Sequence, residues 1–122
     1  MKTKLPAIVL VENDEVTLDL YRRELSKSFE VLSFNQLDGV LEVIASRDVQ
    51  AVIIEPELDS GQGWELIHSI TVAFPDRPIP VIVCSTRDNA NERFQGSVAK
   101  YLTKPVLPKE LKEKTLEVLK RK

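Results

Sequence analysis

Apolar residues in this chain gather into short unbroken runs, separated by stretches in which they recur every three or four positions. Ala7-Ile-Val-Leu-Val11, Ala51-Val-Ile-Ile54 and Val81-Ile-Val-Cys84 are continuous. Such runs predict strands covered on both faces. Phe29 to Phe34 alternates and predicts a strand nearer an edge, and Tyr101-Leu-Thr103 predicts a fifth strand. After the first run, Leu18, Tyr21 and Leu25 share one face of a helix expected to reach about Ser28, with Asn13 or Asp14 able to cap its start. Leu37, Val40, Leu41 and Ile44 recur at i, i+3, i+4 and i+7, the signature of a second amphipathic helix. A turn is expected through Asp59-Ser-Gly-Gln-Gly63. Trp64, Ile67, Ile70 and Phe74 then mark a third helix, which the loop from Pro75 to Pro80 ends. Residues Arg87 to Ala99 are mostly polar, with Phe94 and Val98 as the sizeable apolar side chains, and predict a short helix or none. Leu111, Thr115 and Val118 place a last helix from about Pro108 to Arg121.

Strands alternating with helices predict an α/β fold, a doubly wound five-stranded parallel sheet with a shortened or irregular fourth helix. Right-handed crossovers and short connections favour the strand order 2-1-3-4-5, in one domain over residues 1–122. That order makes the first and third strands neighbours at the point where the winding reverses. Open sheets of this kind bind ligands at the carboxyl ends of their strands. There the chain carries Glu12-Asn13-Asp14 after the first strand, Glu55-Pro56-Glu57 after the third, Ser85 after the fourth and Lys104 after the fifth.

Composition narrows the field of functions. The 122 residues are 43% hydrophobic and 30% charged, as in ordinary globular domains. A net charge of -2 argues against direct contact with nucleic acid. No apolar run approaches the roughly 20 residues that span a bilayer, so no membrane role and a cytoplasmic location are expected. Cys84 is the one cysteine and His68 the one histidine, so neither a disulfide framework nor a cysteine-based zinc site is available within the chain. Cys84 reads as a small core residue, and Trp64 and His68 as ordinary helix positions. Asp59 and Glu57 read as loop charges. No Gly-rich phosphate loop follows the first strand and no nucleophile–base pair is signalled, which leaves a small flavodoxin-like enzyme or nucleotide binder as a remote alternative.

Along nearly its whole length the chain resembles the receiver domains of two-component response regulators, the CheY-like fold. The resemblance rests on the strand and acids of Ile8 to Asp14, the strand and acid of Val52 to Glu55, and Gly63 at the head of the third helix. Pro80-Val-Ile-Val-Cys-Ser85 and Tyr101-Leu-Thr-Lys-Pro105 complete it. In that family an aspartate at the place of Glu55 accepts a phosphoryl group from a histidine kinase. The resemblance implies that Glu12 and Asn13 stand at the Mg²⁺-binding acid pair, with Glu57 at the position whose carbonyl assists. It makes Ser85 and Lys104 the phosphoryl contacts, and Tyr101 the aromatic whose rotamer reports activation.

The chain departs from the family at Glu55, which replaces aspartate, and at Asn13, which is neutral where a second acid is usual. One extra methylene displaces the attacking oxygen by about a bond length, and a misplacement of ~1 Å can cost on the order of 100-fold in rate. Loss of a carboxylate weakens the hold on a hard divalent cation, so Mg²⁺ binding is expected to be impaired. Asp14 is placed either to cap the helix or to supply part of the missing charge. The interval from Ser85 to Lys104 is also short for the family. These features predict a divergent receiver, a pseudo-receiver that is not an enzyme and works as a protein-interaction module without a conventional aspartyl-phosphate cycle. The alternative is a working phosphorelay receiver that needs Mg²⁺. Either form implies a histidine kinase or an effector domain as partner, and self-association through the fourth segment, the fifth strand and the last helix.

Overall fold

The computed structural model describes residues 4–86 and 98–120. The elements run β1 (Ala7–Val11), α1 (Glu15–Leu25), β2 (Glu30–Phe34), α2 (Val40–Ser46), β3 (Val49–Ile54), α3 (Leu58–Ala73), β4 (Val81–Ser85), β5 (Val98–Thr103) and α4 (Pro108–Lys120). The strands form one five-stranded parallel sheet in the order β2-β1-β3-β4-β5, as expected. The short helix, or none, expected over Arg87 to Ala99 falls mostly on residues 87–97, outside the described residues; Val98 and Ala99 instead open β5, ahead of the expected Tyr101.

The three continuous apolar runs occupy the middle of the sheet because successive side chains there point to opposite, equally dry faces. In β3, Val52 and Ile54 pack with Val40, Ile44, Ile67 and Ile70 from α2 and α3. Ala51 and Ile53 pack on the other side with Tyr21, Leu25, Leu111 and Val118 from α1 and α4. Each large side chain so covered contributes roughly 1.5–3 kcal/mol relative to exposure. The face predicted for α4 is the one that is buried: Leu111, Thr115 and Val118.

Helix boundaries differ from the expectation in three places. Asp14 is the N-cap of α1, accepting the Thr17 backbone N–H at 3.0 Å. That helix ends at Leu25, before the expected Ser28, because Phe29 must turn into the core, where it is 1% exposed. α2 starts at Val40, later than the Leu37 repeat suggested. The turn expected through Asp59–Gly63 is instead the first part of α3, which begins at Leu58. Two glycines made that stretch look like a loop, yet it is helical. Gly61 takes φ +92, which L side chains rarely adopt, inside the first turns. A Cβ on Gly63 would lie 2.6 Å from Pro56 Cα and 2.7 Å from its carbonyl oxygen, so only glycine lets α3 pack this closely on the end of β3.

Candidate functional site

The sheet ladder continues one residue past β1, β3 and β5 and sets the site side chains at one level. Val11 pairs with Ile54, and Ser85 with Thr103. Beyond them, the Glu12 N–H donates to the Phe34 carbonyl at 3.0 Å, the Glu55 N–H to Val11 at 3.0 Å, and the Lys104 N–H to Ser85 at 2.7 Å. Glu12, Glu55 and Lys104 therefore leave three different strands at the same edge of the sheet. Two strand spacings, about 10 Å, separate β5 from β3. The long lysine stem crosses the end of β4 to close that gap.

The outcome is a buried ion triad. Lys104 Nζ lies 2.7 Å from Glu12 Oε1 and 2.9 Å from Glu55 Oε1. Glu12 is 2% exposed and Glu55 7%, so the two carboxylates have lost most of their hydration and depend on the protein for donors. Each carboxylate's second oxygen is also engaged: the Asp14 backbone N–H donates to Glu12 Oε2 at 3.1 Å, and the Glu57 N–H to Glu55 Oε2 at 3.0 Å. Burial pushes the pKa of Lys104 down, but its bonds to Glu12 and then Glu55 outweigh this and hold it above the ordinary lysine value. The ammonium is charged at any physiological pH.

The other expected site residues lie on the strands of the same sheet and on the turns that follow them. Ser85 is fully buried at the end of β4. Tyr101, half-buried on β5, packs against the core that includes Val81 and Val83. Asn13 is exposed. Glu57 is the N-cap of α3, and its carbonyl accepts the Gly61 N–H at 3.2 Å. Its carboxylate accepts the Trp64 indole N–H at 3.2 Å, a contact that helix-face reasoning missed. No local sequence signal points to it, since residues seven apart on a regular helix stand about 10 Å apart along its axis. Asp14 faces Thr17, whose hydroxyl hydrogen bond lowers its pKa.

Cys84 is buried, which pushes its thiol up to about 11, and it lies 3.7 Å from the Tyr21 hydroxyl, which itself donates to the Val106 carbonyl at 2.9 Å. This is core packing, without an activated nucleophile. A groove of about 490 Å³ beside Lys104, between α1 and the β5–α4 connection, is walled largely by Leu20, Tyr21, Pro105, Val106 and Leu107.

The donor set also tests the Mg²⁺ that the resemblance implies. An octahedral oxygen shell around a small hard cation draws on carboxylates and carbonyls that face the same point. Here the facing oxygens of Glu12 and Glu55 are bridged by Lys104, their second oxygens by backbone N–H groups, and the Glu57 carbonyl is turned into α3. Among the described residues no group of three or more His, Cys, Asp or Glu side chains is arranged to hold a metal ion. In this arrangement the residues do not fit the ion.

A doubly wound sheet with paired acids and a lysine at the carboxyl ends of β1, β3 and β5 defines a class of signalling domains, and comparison with known proteins agrees. The chain belongs to the response regulator receiver domain family, whose model matches residues 8–116. Its fold is similar to that of a CheY-like receiver domain protein from Methanospirillum hungatei JF-1, with a TM-score of 0.81 and 24% identity over 97% of this chain and 96% of the other. It is similar to the signal receiver domain of an HD domain-containing protein from Pseudomonas fluorescens Pf-5, with a TM-score of 0.82 and 25% identity over 97% of each chain. A signal receiver domain from Vibrio parahaemolyticus gives a TM-score of 0.82 and 21% identity, over 96% of this chain and 92% of the other. No curated protein sequence matches the chain significantly. Receiver domains of two-component systems are in general signalling modules that engage histidine kinases or effector domains, and are typically not enzymes themselves. No helix among the described residues is long and apolar enough to cross a membrane.

Proposed function

We propose that this chain is a pseudo-receiver: a cytoplasmic interaction module of a two-component protein whose state is set by its sequence rather than by an aspartyl-phosphate cycle. One observation carries the reading. The carboxylate in the phosphoacceptor's place, Glu55, has one oxygen on Lys104 at 2.9 Å and the other on the Glu57 N–H at 3.0 Å. Attack on a phosphodonor would require one of those oxygens to give up or share its partner inside a buried pocket, where a carboxylate short of donors is costly. The triad has a net charge of -1, against roughly -2 for a phosphorylated side chain with its three oxygens, so any mimicry of a phosphorylated state is partial. The module has no catalytic residue and needs no Mg²⁺. Its partners are proteins, a histidine kinase or an effector domain, or a second copy through β5, α4 and the fourth segment, and it does not touch nucleic acid directly.

The test is incubation with a small phosphodonor and Mg²⁺ followed by intact mass. The expected spectrum is that of the unmodified chain. A stoichiometric phosphate-sized gain that disappears in Glu55→Ala would overturn the reading in favour of a working phosphorelay receiver.

A further inference from the structure

Three separate features of the pocket bear on which cation it takes. The first is the position of Lys104 Nζ, within 2.9 Å of both Glu12 Oε1 and Glu55 Oε1, with its side chain 17% exposed. A divalent ion shared by those two carboxylates would have to occupy the same point. The second is the early start of α3. Glu57 has helical φ and ψ (-80, -1), and its carbonyl is the first acceptor of the helix, bonded to Gly61. Carbonyls within a helix point along its axis toward the C-terminus, so this oxygen is directed away from the strand ends. The third is the fixing of that turn. The Trp64 indole N–H holds the Glu57 carboxylate, Gly61 supplies the positive φ, and Gly63 lets the helix close against the Pro56 backbone.

We propose that the Lys104 ammonium is the resident cation of this pocket, standing where a divalent ion would sit, and that the first turn of α3 withdraws the carbonyl donor such an ion would need. Trp64, Gly61 and Gly63 are positioning residues for that turn. The pocket is then indifferent to Mg²⁺, and its neutralising charge is built into the chain. The inference rests on Glu55 being the occupant of the phosphoacceptor's place, and it gives that carboxylate a cationic partner from within the chain.

Mn²⁺ binding, followed by electron paramagnetic resonance with no phosphodonor present, tests this. The parent chain is expected to show no saturable site. Lys104→Met and the neutral, hydrogen-bonding Lys104→Gln leave two facing carboxylates and are expected to show the saturable Mn²⁺ site that the parent lacks, because oxygen-rich anionic sites select such ions. That gain should vanish when Glu12→Gln is added. Saturable binding by the parent that is lost in Glu55→Gln would overturn the proposal, as would folded Lys104 variants that bind no better than the parent. If neither variant folds, the parent decides the matter through the ¹⁵N-edited signal of the Lys104 ammonium. Persistence of a slowly exchanging signal in the presence of Mg²⁺ supports the proposal, and its loss refutes it. Because no phosphodonor enters, these results stand or fall independently of the intact-mass experiment.

Discussion

Glu24 and Lys104 show how one residue's surroundings decide what its charge does. Glu24 on α1 meets Lys112 of α4 at 2.9 Å and Lys27 at 2.9 Å. The hydrogen bond from Lys112, followed by that from Lys27, lowers its pKa from 4.5 to about 2. A folded-state pKa below the unfolded value means that the contribution to stability is present above about pH 4.5 and is lost as the pH falls toward 2. Glu24→Gln is therefore expected to lower the urea midpoint at pH 7, with the difference between parent and variant shrinking to nothing near pH 2. Equal midpoints at pH 7 would mean that the α1–α4 pair is neutral in effect. Lys104 has the opposite sign. Its raised pKa keeps the triad's contribution intact below the unfolded lysine value near 10.5, and it is lost only as the pH rises through the folded one. Both acids and the lysine of the triad were legible in the sequence as candidates, because they follow predicted strands. That Glu55 reaches the lysine, and that both of its oxygens are taken, depends on distances between strands far apart in sequence.

At the scale of elements, α3 shows where sequence reading stops. Its apolar periodicity at Trp64, Ile67 and Ile70 was readable, and Ile67 and Ile70 are buried. Its start was not, because glycine lowers helix propensity and two glycines within three residues read as a turn. Tertiary contact overrides that preference: close packing on Pro56 requires a residue without a side chain at 63. Gly63→Ala is expected to destabilise the protein by roughly 1–3 kcal/mol, since backbone rather than a flexible side chain must give way. Chemical denaturation measures this, and a change under about 0.5 kcal/mol, the ordinary range for harmless surface substitutions, would contradict the packing argument. The same variant should loosen the Glu57–Trp64 contact and alter the Trp64 fluorescence.

At the scale of the whole molecule, the sheet is the divider between two cores. Ile53 and Ile54 are adjacent in β3 yet belong to different cores, Ile53 facing α1 and α4, Ile54 facing α2 and α3. Both are at most 1% exposed. Ile53→Ala and Ile54→Ala are each expected to cost about 2–5 kcal/mol in thermal or urea unfolding. A sheet with one solvated face would give one large and one small effect, so similar losses test the double-sided burial directly.

The sequence by itself determined the class of fold, because unbroken β-branched runs between amphipathic stretches are stable only as a parallel sheet covered on both sides. It also determined which residues meet at the carboxyl edge, since strand order and strand ends follow from that pattern. The tertiary structure alone decided the state of the site. Whether Lys104 bridges Glu12 and Glu55, and where the Glu57 carbonyl points, are set by strand spacing and by the close approach of α3 to Pro56. Those are relations between distant segments, to which local propensity and periodicity are blind.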